Sequence, residues 1–239
     1  MSPPPLLPPP RARQRLLFVG KTGMGKSFAV KANLRVWAKA GARICALDPK
    51  DEYSRQGAIR GGPLRRRVTL EEVLAEPELL AERRLSLAVV PGRSTYRAAQ
   101  GLRALCAAAP RFGPLVLVLG ELGLATDATM GGTAAQVAVK ARAELVALAT
   151  MGREDGISLV LDCQRATQAP KGARSQISDV VAFRQDEASD VTWLVERTRD
   201  NRFARAADLP EHEALVWSDS TAAAPSDESD ALAELADVH

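Results

Sequence analysis

The stretch LLFVGKTGMGKS, residues 16–27, decides the fold class of this chain. An apolar segment with strand character leads into Gly20, and Gly25, Lys26 and Ser27 then precede the helical sequence FAVKANLRVWAKA. This is the Walker A pattern G-x-x-x-x-G-K-[ST], placed between a strand and a helix as a phosphate-binding loop requires. Its glycines let the backbone turn tightly and bring N–H groups against phosphate oxygens at a helix N-terminus.

The motif assigns a role to each type of residue in the loop. Lys26 is expected to reach the β- and γ-phosphates of ATP, and the Ser27 hydroxyl is expected to ligate Mg²⁺. An accidental glycine-rich turn is the alternative, but it does not explain why the strand, the Lys-Ser pair and the helix all agree. The predicted nucleotide-binding residues are Thr22, Gly23, Met24, Gly25, Lys26, Ser27 and Phe28.

Strand patterns alternate with helical patterns downstream of the loop. This alternation is typical of an α/β protein with a mostly parallel sheet and helices on both faces. The segment 123–134 has no periodicity and is expected to be mobile. Strands are predicted at 42–48, 85–91, 115–123, 156–164, 178–185 and 213–217, and helices from Thr69 through Leu80, at 95–109, at 134–152 and ending near Val195.

The most apolar run, LVLVLGELG, is expected to be a central strand. In hydrolytic P-loop proteins such a strand ends in an acid that orients Mg²⁺ through water, and a glutamate that polarises the attacking water follows. Glu121 occupies the position of that glutamate, but Gly120 occupies the position of the preceding acid, which is usually an aspartate. Either Glu121 serves both tasks and also supports the metal, or Asp48 or Asp162 contributes from another strand end. A plain loop start at Glu121 is the remaining interpretation.

A second polar residue ends the strand GISLVLDCQ. The amide of Gln164 can hydrogen-bond the γ-phosphate or the attacking water and so report hydrolysis. An ordinary polar residue at a strand end is the alternative.

Length and composition favour one globular domain in a reducing compartment. At 239 residues the chain can bury a sizeable core. No stretch approaches the roughly 20 apolar residues of a membrane span, and the N-terminus lacks the apolar centre of a signal peptide. Three separated cysteines and two histidines argue against a zinc site or a His-dependent triad.

The formal net charge of +3 is unevenly distributed. Residues 1–104 hold 20 Lys and Arg against 8 Asp and Glu, and six acids with no base lie from Asp219 onward. Such a basic surface suits a polyanion, although an Arg-rich composition explains it equally well. Arg65, Arg66 and Arg67, in a predicted surface loop, are candidates for contact with a DNA backbone, with a solvated loop as the alternative.

Composition also divides the chain into three parts. Residues 1–14 are expected to form a Pro-rich flexible arm, for which docking on a partner is a second possibility. Residues 15–218 form the predicted P-loop ATPase domain, and 219–239 form an acidic tail expected to be disordered.

Four segments, in this order, resemble the FtsK/HerA superfamily of DNA-pumping ATPases over roughly residues 15–196. The resemblance implies a RecA-like P-loop NTPase of the additional-strand, catalytic-glutamate class, with ATP and Mg²⁺ as cofactors. It implies that Lys26, Glu121 and Gln164 are catalytic, and that Arg153 reaches into the site of a neighbouring subunit unless it pairs with an adjacent acid, Glu154 or Asp155. The segments are GKTGMGKS (20–27), LDPKDEY (47–53), LVLVLGEL (115–122) and MGREDGISLVLDCQRATQAP (151–170).

Within that superfamily, the chain resembles the minimal genome-packaging ATPases of membrane-containing icosahedral double-stranded DNA viruses. The resemblance implies a homo-oligomeric ring, commonly a hexamer, that pumps double-stranded DNA into a capsid. It also implies capsid vertex proteins as partners and the host cytoplasm or the virion as the location. A plasmid or conjugative DNA pump is the alternative. A P-loop small-molecule kinase and a non-hydrolysing vertex protein are further classes, the latter because of Gly120.

Overall fold

The computed structural model describes residues 4–10, 13–59, 61–81, 87–129 and 131–219, which form one eight-stranded sheet with helices. The strands are β1 (Arg15–Val19), β2 (Ile44–Leu47), β3 (Arg66–Thr69), β4 (Leu87–Val90), β5 (Val116–Leu119), β6 (Ser158–Cys163), β7 (Asp179–Ala182) and β8 (Leu215–Ser218). The α-helices are α1 (Lys26–Lys39), α2 (Leu70–Ala75), α3 (Thr95–Ala108), α4 (Leu122–Thr126), α5 (Gly132–Met151), α6 (Lys171–Arg174) and α7 (Ala188–Thr198). Shorter 3₁₀ turns cover Pro77–Ala81, Ala109–Phe112, Ala166–Gln168 and Asn201–Asp208.

The strand order is β3-β4-β2-β5-β6-β1-β7-β8. All pairings are parallel except that of β7 with β8, which is antiparallel. The prediction of a mostly parallel α/β sheet is therefore confirmed.

Alternate residues of the central strands enter two separate cores, one on each face of the sheet. Leu16 of β1 packs with Trp37 of α1. Leu17 belongs to the opposite core with Leu102 of α3 and Leu145 of α5. Because successive side chains of a strand point to opposite faces, a strand buried on both faces is apolar throughout. This explains the continuous apolar runs of β1 and β5.

One strand, β6, separates the P-loop strand β1 from β5, which ends just before Glu121. This order is that of the additional-strand class predicted above. Since the three strands are parallel, their carboxyl ends meet at one edge of the sheet. That edge holds the candidate site.

Three local features differ from the sequence predictions. Arg66 and Arg67 lie on the edge strand β3 and not on a loop. The helix predicted from Thr69 through Leu80 ends at Ala75, because Pro77 cannot continue it, and a 3₁₀ turn follows. The segment after β5 is not irregular throughout, since Leu122–Thr126 form the short helix α4.

Part of the N-terminal arm packs on α1. The Leu7 N–H donates to Asn33 Oδ1 at 2.7 Å, and Trp37 Nε1 donates to the Leu7 carbonyl at 3.0 Å. Leu7, within the predicted flexible arm, is therefore bonded to α1, and the flexibility of the arm stays a prediction. Residues 1–3 and 11–12 of the predicted arm lie outside the described residues, as does the predicted acidic tail beyond Asp219.

None of the helices in the described part of the chain is long and apolar enough to cross a membrane.

Candidate active site

The phosphate-binding loop joins β1 to α1 at the carboxyl edge of the sheet. Gly25 has φ of +94°, in the left-handed region that glycine adopts without steric cost. It is the N-cap of α1 and has no side chain that could cap the helix. The first N–H groups of α1 are therefore available to an anion, and the helix dipole favours negative charge there.

A cleft of about 160 Å³ lies over this loop. Small-molecule sites usually measure roughly 300–1,000 Å³, so the cleft suits the phosphates better than a whole nucleotide. Met24 is the one predicted nucleotide-binding residue that does not line it, because its side chain packs against the core on the α1 face. The lining residues are Lys21, Thr22, Gly23, Gly25, Lys26, Ser27, Phe28, Lys50, Glu121, Gln164 and His212.

Glu121 is held by two side chains of this cleft. Lys50 donates its Nζ to Oε1 of Glu121, and Gln164 donates its Nε2 to Oε2 at 3.2 Å. Burial raises the pKa of the Glu121 carboxyl, but the Lys50 hydrogen bond and the charges of Lys26 and Lys50 outweigh it, so the pKa lies below its ordinary value. The carboxylate is therefore ionised at neutral pH, as a group that accepts a proton from water must be.

The backbone at Glu121 is strained. This residue is the N-cap of α4, with φ of 47° and ψ of 47°. A residue with a Cβ rarely occupies this left-handed region, and such conformations concentrate at functional sites. The turn projects the carboxylate into the cleft from the end of β5.

Lys26 forms a buried ion pair with Asp162 of β6. The exposed fraction of Lys26 is 4% and that of Asp162 is 0%, and Nζ donates to Oδ1. Burial lowers the pKa of the Lys26 ammonium, but the carboxylate of Asp162 raises it more, so the net shift is upward. Lys26 is therefore a full cation next to the loop.

Of the two aspartates that the sequence offers in place of an acid at Gly120, Asp162 lies in the site and Asp48 is used elsewhere. Asp48 accepts hydrogen bonds from the backbone N–H groups of Glu52 at 3.0 Å and Tyr53 at 2.8 Å. Burial raises the pKa of Asp48 to about 6 despite these bonds. Its carboxylate thus stabilises the turn after β2.

The oxygen atoms at the cleft fit Mg²⁺. The Ser27 hydroxyl lines it, and the carboxylates of Glu121 and Asp162 lie next to Lys26. No group of three or more His, Cys, Asp and Glu side chains in the described ranges could hold a metal by itself. Mg²⁺ does not need such a cage, because it usually takes one or two protein ligands together with phosphates and waters.

Arg153 lies away from the cleft. It follows α5 and precedes β6, at the sheet edge opposite the phosphate-binding loop. It lies near the buried guanidinium of Arg15, whose pKa falls to about 10 through burial and the charge of Arg153. In the described part of the chain, Arg153 makes no ion pair with Glu154 or Asp155. Its predicted role therefore requires a second subunit.

Two of the three arginines predicted to contact DNA, Arg65 and Arg67, lie in different environments. Nε of Arg67 donates to Oδ1 of Asp51 at 2.9 Å. Arg65 instead lines a groove at the C-terminal end of α1.

Four residues at or beside the cleft have no role in the sequence predictions, namely Lys21, Lys50, Tyr53 and His212. Lys50 and Tyr53 both lie in LDPKDEY, one of the segments that carry the family resemblance, which implies no role for either residue. His212 gave no signal in the sequence, yet it lines the cleft and its N–H donates to the Met24 carbonyl at 3.2 Å. Its Nδ1 is buried and has no hydrogen-bond partner in the described part of the chain.

No family model matches this sequence, and no curated protein matches it. The fold, however, is similar to solved structures. The genome packaging NTPase B204 from Sulfolobus turreted icosahedral virus 2, in complex with AMP, is 15% identical with a TM-score of 0.59, over 87% of this chain and 94% of that chain. VirB4 of Thermoanaerobacter pseudethanolicus is 14% identical with a TM-score of 0.57, over 86% of each chain.

The pCW3 conjugation coupling protein TcpA is 17% identical with a TM-score of 0.56, over 87% of this chain and 58% of that chain. At identities this low, the TM-scores show a shared fold and nothing more specific. The chain therefore has the RecA-like P-loop NTPase fold that its sequence predicts.

Proposed function

We propose that this chain is an ATP-driven double-stranded DNA translocase, a viral genome-packaging ATPase that works as a homo-oligomeric ring with Mg²⁺. The observation that carries the proposal is the convergence of Lys26, Ser27, Glu121 and Gln164 on one cleft. Together they offer a triphosphate cradle, an ionised carboxylate and an amide bonded to that carboxylate. Similarity in fold to the packaging NTPase B204 supports DNA as the substrate.

Each residue has a defined task in the proposed hydrolysis. The N–H groups at the start of α1 and the Lys26 ammonium bind the phosphates. Ser27 would hold Mg²⁺, which would neutralise charge on the phosphates. Glu121 accepts a proton from the attacking water, and Gln164 fixes the orientation of that carboxylate. Arg153 of a neighbouring subunit stabilises charge on the transferred phosphoryl group.

A basic groove at the other end of α1 is the proposed contact with DNA. It measures about 730 Å³ and is lined by no acidic residue of the described part of the chain. Lys39, Arg55 and Arg65 have no carboxylate partner among the described residues, so their charges can meet phosphates. Such contacts are independent of sequence, as a motor that moves every sequence requires. The basic residues lining it are Arg35, Lys39, Arg43, Arg55 and Arg65.

Neutralising the groove tests this contact. The triple variant Lys39→Ala, Arg55→Ala and Arg65→Ala is expected to weaken DNA binding and to reduce the slope of log affinity against log salt by about 2–3. A matched triple variant of exposed residues outside the groove, Arg93→Ala, Lys140→Ala and Lys171→Ala, should bind DNA as the wild type does. Equal losses in the two triple variants would contradict the assignment of the groove.

The hydrolytic role of Glu121 is tested by Glu121→Gln. This variant should still bind ATP but lose at least about 100-fold in phosphate release, because the amide cannot accept a proton. Glu196→Gln, an exposed position on α7, is the matched control and should hydrolyse ATP normally. Lys26→Ala should lose nucleotide binding or turnover. Equal phosphate release from wild type and Glu121→Gln, or none from either, would remove Glu121 from the mechanism.

A plasmid or conjugative DNA pump is the second candidate, because the fold is also similar to that of TcpA and VirB4. The genes beside this one, for capsid proteins or for a relaxase, separate the two. For the packaging motor we propose a hexamer that acts in the host cytoplasm or at the virion vertex, with capsid vertex proteins as partners. A small-molecule kinase would hydrolyse ATP without stimulation by DNA.

A further inference from the structure

The sheet register places Asp162 beside the position at which this chain lacks an acid. Leu119 of β5 pairs with Leu161 of β6, so Gly120 lies level with Asp162 on the neighbouring strand. Val160, two residues before Asp162, packs in the core on the α1 face. Because strand side chains alternate, Asp162 and any side chain at position 120 point to this same face.

Tyr53 fills the space that a side chain at position 120 would need. A Cβ on Gly120 would lie 2.9 Å from Cε2 and 3.0 Å from Oη of Tyr53, and 2.8 Å from the Leu47 carbonyl oxygen. Tyr53 is 1% exposed, so its ring is locked among close-packed neighbours. Packing therefore excludes an aspartate at position 120.

The same tyrosine binds the neighbouring carboxylate. Oη of Tyr53 donates to Oδ2 of Asp162 at 2.9 Å, and Lys26 donates to Oδ1. A buried carboxylate is costly unless such partners compensate it. The other partner, Lys26, is the residue proposed above to bind phosphate, so bound ATP would compete with Asp162 for this cation.

We propose, on the basis of the function proposed above, that Asp162 supplies the carboxylate support for Mg²⁺ that position 120 cannot supply. Tyr53 is its positioning residue. Without nucleotide, Asp162 neutralises Lys26. Once Lys26 binds phosphate, the Asp162 carboxylate is left to accept hydrogen bonds from the hydration shell of the metal.

Nucleotide affinity with and without Mg²⁺ tests this assignment without hydrolysis or DNA. The dissociation constant of a fluorescent, non-hydrolysable ATP analogue is measured in EDTA and in Mg²⁺, and the ratio of the two is compared between variants. In Asp162→Asn the ratio of the dissociation constant in EDTA to that in Mg²⁺ is expected to be about tenfold smaller than in the wild type. A loss of this size is typical when an outer-shell carboxylate is removed. Asp179→Asn is the control and should keep the wild-type ratio, because Asp179 is a buried aspartate at the start of β7, at the sheet edge opposite the cleft.

Two further variants guard against a folding defect in Asp162→Asn. Tyr53→Phe keeps the ring and should lower the ratio about twofold to threefold by removing one hydrogen bond to Asp162. Asp162→Glu keeps a carboxylate at this position and should keep more of the wild-type ratio than Asp162→Asn does.

The opposite result is well defined. If Asp162 only neutralises Lys26, Asp162→Asn changes affinity equally in EDTA and in Mg²⁺, and the ratio stays at the wild-type value. That outcome would overturn the metal assignment while leaving the proposed translocase function intact. If the wild type does not bind the nucleotide at all, the proposed function itself is overturned.

Discussion

Asp48 shows how burial of one side chain makes stability depend on pH. Its carboxyl is 1% exposed, and burial raises its pKa from 3.8 to about 6. An acid with a raised folded pKa contributes most to stability below its unfolded pKa, and this contribution is lost as pH rises through the folded pKa. Asp48 is therefore expected to lower the free energy of unfolding by up to about 3 kcal/mol between pH 4 and pH 7.

Urea unfolding of wild type and Asp48→Asn at several pH values isolates this contribution. Asn does not ionise, so the stability of Asp48→Asn relative to wild type should rise across this interval. Asp127→Asn is the control and should follow the wild type through most of this interval, because hydrogen bonds from Thr129 lower the pKa of the half-buried Asp127 carboxyl and keep it ionised. Parallel stability curves for wild type and Asp48→Asn would contradict the buried titration.

Single residues also mark the limit of prediction from sequence. Glu121 and Gln164 were predictable because each follows an apolar strand, and parallel strands bring their carboxyl ends together. The partnership of Tyr53 with Asp162 was not, since it depends on the register of β5 against β6 and on the path of the turn after β2. His212 reaches the cleft through tertiary packing alone.

At the scale of elements, the C-terminal end of α5 depends on a buried arginine in another element. The Arg15 guanidinium of β1 donates to four backbone carbonyls, those of Gln14, Leu148, Ala149 and Ile157. Two of them belong to the last turn of α5, where a cation also complements the helix dipole.

Replacing this guanidinium is expected to destabilise the folded state. Arg15→Met keeps the apolar stem but leaves buried carbonyls without donors, so the free energy of unfolding should fall by about 2–4 kcal/mol. Lys140→Met, on the exposed face of α5, is the control and should change it by less than about 0.5 kcal/mol. Similar urea midpoints for both variants would show that Arg15 does not hold α5.

The helix α1 connects the two proposed functional regions. It begins at the phosphate-binding loop and ends beside the basic groove, and its 14 residues span about 21 Å. Its pattern was clear from sequence because a long amphipathic helix follows a diagnostic loop. The strand β3 was missed because Arg66–Thr69 is a four-residue edge strand with only Val68 buried, which gives almost no periodicity.

At the scale of the whole molecule, the distance of Arg153 from the cleft of its own chain makes the ring testable. Arg153→Ala and Lys26→Ala should each be inactive alone if each site combines Lys26 of one subunit with Arg153 of the next. Rings assembled from equal amounts of the two variants should regain ATPase activity. Roughly a quarter of their interfaces unite an intact Lys26 of one subunit with an intact Arg153 of the next. Wild-type activity of Arg153→Ala alone would show that Arg153 is not part of the site.

The proposed translocase must move along double-stranded DNA, and displacement of a third strand measures that movement. Double-stranded DNA carrying a fluorescent third strand at increasing distances from one end is incubated with the full chain, Mg²⁺ and ATP. For a translocase we expect the third strand to be displaced with a lag that grows with distance, and we expect Lys26→Ala and Glu121→Gln to leave it bound. Hydrolysis of ATP at a rate indifferent to DNA, with the third strand still in place, would contradict the proposed translocase function.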